Sequence, residues 1–300
     1  YPSGVVRYNS GIWKYVLAGG VTTGPALTGN TFIFTDTLAP PPPPTPTTLV
    51  LLHDTTVVPS TKPKRIADRD TLFKHLPSLI SGYDVAYFNA TSSLPSLINY
   101  KTIIIQETSS DGDGSAGNTV VLSASARTDL TAWLASGTAG NKKALLQIGA
   151  DIGYFYDRSI SAFKDTAYAR SVCGLIYRVD NGTLVSDSSV VGIGIDGGTV
   201  RGLYGPPGTV GGFYPDGCTP VNGATSLVKY GSRGIIDTVA GISKLSTGSI
   251  VVSAFQDPRY FKPGQFKPYL QALIGYVKSN GGTITSTTPQ ISAVADKYSL

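Results

Sequence analysis

At 300 residues the chain is long enough for one large domain or two smaller ones with proper cores, so size alone forces neither a disulfide nor a metal. Charge is sparse, 24 basic against 19 acidic residues for a net +5, and glycine and proline hold 35 and 20 positions. That is the balance of a rigid extracellular protein, not of a nucleic-acid binder, and nothing approaches the ~18 consecutive apolar residues of a membrane-spanning helix.

Residues 1–39 contain three strand-like runs, Val5 to Tyr8, Ile12 to Leu17 and Thr31 to Phe34, separated by Gly-rich turns. So short a piece cannot bury a core alone, and it is expected to complete a sheet of another domain, pack on the main one or pair with another molecule. Residues 40–47 hold a run of prolines that reads as a stiff polyproline II linker. Alternating strands and helices follow. Leu49 to Leu52 is a short apolar strand of the kind buried on both faces, and residues 66–80 offer a helix that Pro77 must kink or end. Tyr83 to Phe88 and Thr102 to Gln106 are the next strands; Ala126, Leu130, Trp133 and Leu134 recur at helical spacing, with Gly137 suited to the cap. Leu175 to Val179 and Ile250 to Phe255 are later strands, and Phe266, Leu270, Leu273, Ile274 and Val277 share one face of a closing helix. Residues 180–248, rich in Gly, Pro, Ser and Thr, read as hairpins and long loops inserted on the sheet's rim. The pattern over 48–282 predicts a doubly wound, mainly parallel α/β sheet of Rossmann-like or flavodoxin-like type with a small N-terminal β appendage, and 283–300 form an extended tail.

Between a strand ending at Ile148 and a helix, Gly149-Ala150-Asp151-Ile152-Gly153 has the G-x-nucleophile-x-G spacing of a tight elbow, with aspartate where hydrolases and amidotransferases carry Ser or Cys. The chain's histidines, His53 and His75, both precede it, so no triad of the usual order can form. Cys173 and Cys218 lack metal-binding spacing; in an oxidising compartment they are expected to form a disulfide of about 2–4 kcal/mol, the other reading being two buried thiols.

Leu49 to Asp54, Tyr83-Asp84-Val85, Leu146 to Tyr154 around the elbow, and Val251 to Phe255 before the last helix resemble the flavodoxin-like or class I glutamine-amidotransferase-like domains of large secreted proteins of the Bacteroidetes and Chlorobi groups, here without the catalytic Cys and His. Ala293 to Leu300 resembles the linker preceding the sorting domain of type IX secretion, which is removed on export. The resemblance implies a secreted or surface location and a trimmed chain, consistent with the absence of methionine even at position 1. It also implies O-glycosylation at Asp-Ser/Thr sites, here Thr37, Thr55, Thr71, Thr166 and Thr238, with Thr37 beside the proline linker the foremost.

In an open α/β sheet, ligands bind beyond the carboxyl ends of the strands. That region would hold Asp54, Glu107, Asp111, Asp113 and Asp151. Asp111-Gly112-Asp113 resembles the opening of a calcium loop but lacks its final Glu, leaving both as weak metal candidates against the commoner Asp-Gly turn. The leading expectation is a non-catalytic structural or interaction module, a pseudoenzyme of a surface or filamentous assembly. It would have no cofactor and would self-associate or meet other surface proteins through 1–39 and 283–300. The rival is an extracellular hydrolase of peptide or glycan using Asp151 with Asp54 or Glu107; a third reading is a carbohydrate-binding module with a glycan ligand.

Overall fold

In the computed structural model the chain divides into two compact units, residues 1–45 and 46–300. The structure describes the strand backbones of the first unit and, in the second, residues 46–53, 62–107 (side chains of the first helix from 66), 121–158, 161, 163–180, 182, 189–203, 215–231 and 238–285. The first unit has an antiparallel sheet, β1 (Gly4–Asn9), β2 (Ile12–Leu17) and β3 (Gly20–Val21), and a hairpin of β4 (Ala26–Thr28) with β5 (Thr31–Ile33).

The second unit opens with β6 (Thr48–His53), α1 (Lys62–His75) and a 3-10 turn at Leu76–Ser78, where Pro77 ends the helix as its missing N–H requires. Next come β7 (Tyr83–Phe88), β8 (Thr102–Gln106), α2 (Ala124–Ala135), β9 (Lys143–Ile148) and α3 (Ile152–Asp157). Ser123 caps α2 by accepting from the Ala126 amide, and Gly137 lies past its end against Gly248, where a Cβ would fall 2.0 Å from the Gly248 carbonyl oxygen. A π-helical turn (Tyr168–Cys173) leads into β10 (Leu175–Val179) and β11 (Ser189–Gly192). The unit finishes with β12 (Val200–Gly202), β13 (Gly217–Pro220), β14 (Thr225–Tyr230), β15 (Val239–Leu245), β16 (Ser249–Ala254) and α4 (Phe266–Ser279).

The sheet corrects the expected fold. Its eleven strands run β12-β11-β14-β15-β16-β9-β8-β6-β7, with β13 joining β10 to β15. Only β16, β9, β8, β6 and β7 are parallel neighbours; β10 to β15 pair antiparallel, so the sheet is mixed and not mainly parallel. The cause lies in the tight turn between β15 and β16, where the Ser246 hydroxyl accepts from the Ser249 amide at 2.9 Å and Leu245 pairs with Ile250. So short a connection joins only antiparallel strands. The segment 180–248 therefore extends the sheet itself instead of decorating its rim.

Both faces of the parallel half are covered. Val50, Leu52, Ile104, Leu146 and Val252 pack with Leu72 of α1 and Leu270, Leu273, Ile274 and Val277 of α4. Leu49, Leu51, Ile103, Ile105, Leu145 and Val251 pack with Ala126, Leu130 and Trp133 of α2 and with Phe155 and Tyr156 of α3. All six residues of β6 are buried, and each buried Leu or Val contributes about 1.5–3 kcal/mol over its exposed state. In this structure Cys173 and Cys218 are buried free thiols. Cys173 Sγ accepts from Gln147 Nε2 at 3.2 Å, while Cys218 Sγ fills the space over Gly153, 2.7 Å from where a Cβ would stand.

Candidate reacting centre at the elbow

Asp151 follows β9 directly and occupies the N-cap of α3, where its side chain makes no capping hydrogen bond. It is 5 % exposed. Around it the elbow's amides are occupied by other carboxylates. The Ala150 amide donates to Asp257 Oδ1 at 3.0 Å and the Tyr154 amide to Asp216 Oδ2 at 2.8 Å, while the Gly153 amide also donates to Asp216. Gly153 is needed because Cys218 Sγ and Asp216 Oδ2 stand 2.7 and 3.1 Å from its Cβ position.

Two nearby carboxylates come from the segment expected to be hairpins and long loops. Antiparallel pairing of β10 with β13 sets Val179 opposite Gly217, so the next residues outward, Asp180 and Asp216, flank the same end of the pair. The Gly182 amide donates to the Pro215 carbonyl at 2.8 Å, holding the strands together past that point. The Asp216 amide in turn donates to the Ala150 carbonyl at 2.9 Å, which ties this end to the elbow. Asp151, Asp180 and Asp216 each offer a carboxylate oxygen, all within 4.8 Å of one another. Hard oxygen donors of this kind suit a divalent cation such as Ca²⁺ or Mg²⁺ as well as acid–base work.

The three differ in environment. Asp180 is solvent-exposed, and burial of part of its surroundings raises its pKa while the Arg158 guanidinium lowers it. Asp216 is fully buried; burial drives its pKa well above the carboxylate range, opposed by the Tyr154 amide and reinforced by Asp180. Its Oδ1 has no hydrogen-bond partner among the described residues. Asp257 is held from the other side, with Arg259 Nη2 at 3.8 Å from its Oδ2, and Arg259 Nε lies 3.1 Å from Asp68 of α1.

Glu107 is not a member of this group. It lies in a separate buried network, where its Oε2 accepts from Tyr156 at 3.0 Å and the Arg127 guanidinium sits 5.0 Å from the Tyr156 ring centre. Burial pushes Glu107 up to about 8, against the opposing pull of Tyr156 and then Arg127. His53 is buried edge-on against Phe88, and His75 is lowered by burial and then by Lys74 and Lys267. Asp54, Asp111, Asp113, Thr37 and Thr55 lie outside the described residues. Of the other expected glycan acceptors, Thr71 donates its hydroxyl to the Ala67 carbonyl at 2.6 Å, Thr238 is buried and Thr166 is half-buried. Asp180 and Asp216 were missed in sequence because no local motif marks them; the only signal is that each lies at the end of a short β run.

No family model matches the sequence, and no curated protein does. Among solved structures, a β-galactosidase from Bacillus circulans sp. alkalophilus superposes with TM-score 0.45 at 10% identity, covering 79% of this chain and 31% of that one. The carbohydrate deacetylase Agd3 gives 0.46 at 14%, covering 78% and 33%. A cytoplasmic protein from Salmonella typhimurium LT2 gives 0.43 at 11%, covering 76% and 98%. The chain spans about a third of the length of the first two. The expectation of a non-catalytic module is corrected at this point by the site itself, because the crevice beyond the strands holds three converging carboxylates.

Proposed function

We propose that the chain is a glycan hydrolase whose reacting centre is Asp151 with Asp180, working in an extracellular setting. The observation that carries this is the convergence of their carboxylate oxygens within 4.8 Å at the carboxyl end of β9. Cleaving a glycosidic bond needs two carboxyl groups, one to protonate the leaving oxygen and one to attack or stabilise the anomeric carbon. Peptide or ester cleavage would instead need free donors for an oxyanion, and the elbow's amides at Ala150, Gly153 and Tyr154 already serve Asp257 and Asp216.

Asp180, exposed and with a raised pKa, acts as general acid, and Asp151 at the elbow acts as nucleophile. Asp216 is a positioning residue, buried beneath them and fixing the start of α3. Oxygens within 4.8 Å of one another leave less room than the roughly 6.5–9.5 Å spacing of inverting enzymes, so the product is expected to keep the anomeric configuration of the substrate.

The test is hydrolysis of a panel of aryl glycosides and neutral oligosaccharides by the full chain, with anomer analysis by NMR. Asp151→Asn and Asp180→Asn are each expected to lower kcat about 10²–10⁴-fold with the fold intact by circular dichroism. Equal turnover by wild type and both variants would refute the assignment. Activity abolished by a chelator would move the chemistry to a cation bound by the same oxygens.

A further inference from the structure

The parallel half of the sheet ends at β7, which among the described residues pairs only with β6. Successive side chains of a strand alternate between faces. Tyr83, Val85 and Tyr87 therefore share the α1 face of the sheet, where Tyr83 stands edge-on to Phe73 of α1 with ring centres 6.3 Å apart. That face is left open to solvent: Val85 is 37 % exposed, Tyr87 57 % and Phe73 38 %. Edge strands are ordinarily blunted by Lys, Pro or a bulge. β7 has none of these: it pairs with β6 in unbroken register, and its single charged residue, Asp84, accepts from the Tyr100 hydroxyl at 2.7 Å.

After α4 the chain crosses the sheet towards this edge. Lys142 Nζ donates to the Asn280 carbonyl at 2.9 Å, and a Cβ on Gly282 would stand 3.2 Å from that of Ala144 in β9. The Thr102 hydroxyl, at the start of β8, donates to the Thr283 carbonyl at 2.7 Å. Ile284 is buried in the core beneath α1 and α4, and the Ser81 amide, just before β7, donates to the Thr285 carbonyl at 2.9 Å. The chain thus steps past β9, β8 and then β7 in sheet order, at the end where these strands begin. Residues 286–300, which lie outside the described residues, continue from the foot of the free edge.

We propose that the free edge of β7 is a strand-acceptor site whose occupant is the chain's own segment 290–295. Position selects that segment, because residues 286–289 form a connection of ordinary length from Thr285. Handedness agrees. α1 carries the chain from β6 to β7 on one face, and α2 carries it from β8 to β9 in the opposite direction on the other face, so the two crossovers have the same hand. α4 lies on the α1 face and leads from β16 in the α1 direction, so a strand parallel to β7 and beyond it completes a third crossover of that hand. The residue pattern fits as well. Ile291, Ala293 and Ala295 alternate with Gln290, Ser292 and Val294, with no Gly or Pro to interrupt the run. Small apolar side chains then meet Tyr83, Val85 and Tyr87, as cross-strand pairs on one face. The site involves none of Asp151, Asp180 and Asp216, so it goes beyond the hydrolase reading and is tested independently of it.

The experiment is hydrogen exchange of the full chain, read amide by amide by NMR. Successive amides of a strand point to opposite edges, so one of Ser292→Pro and Ala293→Pro removes a donor aimed at β7. The amides of β7 that face away from β6 are expected to exchange at least about tenfold faster in that variant than in the wild type, while Ser299→Pro leaves them unchanged. Backbone NOEs between 84–88 and 290–295 are expected in the wild type, and they decide the matter even if a proline variant fails to fold. Their absence overturns the proposal, as does equal exchange in the wild type and both proline variants. Protection that rises with protein concentration, together with a dimer mass in light scattering, also overturns it by giving the edge to a second copy.

Discussion

Replacing Glu107 by glutamine should remove a large part of the pH dependence of stability. Glu107 is 0% exposed, and burial raises it from 4.5 to about 8 although Tyr156 and Arg127 pull the other way. Between those values the unfolded chain has lost the proton and the folded chain keeps it, so unfolding releases a proton and stability falls as pH rises. The full contribution is present below 4.5 and is gone once the pH passes about 8. At about 1.4 kcal/mol per pH unit, the loss across that interval is roughly 5 kcal/mol. The glutamine keeps a carbonyl oxygen for the Tyr156 hydroxyl, and any cost of its amide at the Oε1 position, which has no hydrogen-bond partner among the described residues, is independent of pH. Urea unfolding followed by tryptophan fluorescence across this interval gives both curves, and the other buried acids cancel in the difference. Wild type and Glu107→Gln curves running parallel would refute the reasoning, because Glu107 would then titrate alike in both states.

Three further outcomes follow from the same geometry. General-acid catalysis by Asp180 requires its proton, so kcat should fall as pH rises through its raised pKa; Arg158→Gln, which removes the cation that lowers that pKa, should move this limb of the pH–rate profile to higher pH. Gly153→Ala would press a methyl group onto Cys218 Sγ and Asp216 Oδ2, and is expected to destabilise the chain by about 1–3 kcal/mol in chemical denaturation. Burial raises the Cys173 thiol to about 12 and Cys218 well above its ordinary value, so native protein should react with a thiol reagent only at the rate of its own unfolding, with both sulfurs titrating in denaturant.

Much of the parallel half of the fold was legible because its signals are local. The all-apolar runs at Leu49 to Leu52 and Ile103 to Ile105 can be buried on both faces only inside a covered sheet, and Pro77 ends a helix wherever it falls. The antiparallel half was misread because its strands are short and polar in part: Ser189–Gly192 and Gly217–Pro220 gain their strand character from neighbours distant in sequence. Of the candidate centre, Asp151 could be found from its glycines, whereas Glu107 was assigned to the crevice for ending a strand and instead points into an Arg127–Tyr156 network.

By itself, the sequence determined where the chain alternates strand and helix and where a tight glycine elbow presents an aspartate, since hydrophobic runs and backbone permissiveness are properties of neighbouring residues. Only the tertiary structure decided that the sheet is mixed, that both thiols are buried, and that Asp180 and Asp216 meet Asp151. Those outcomes depend on the register of β10 on β13 and on a hydrogen bond from Asp216 back to Ala150, pairings between segments tens of residues apart that no local pattern encodes.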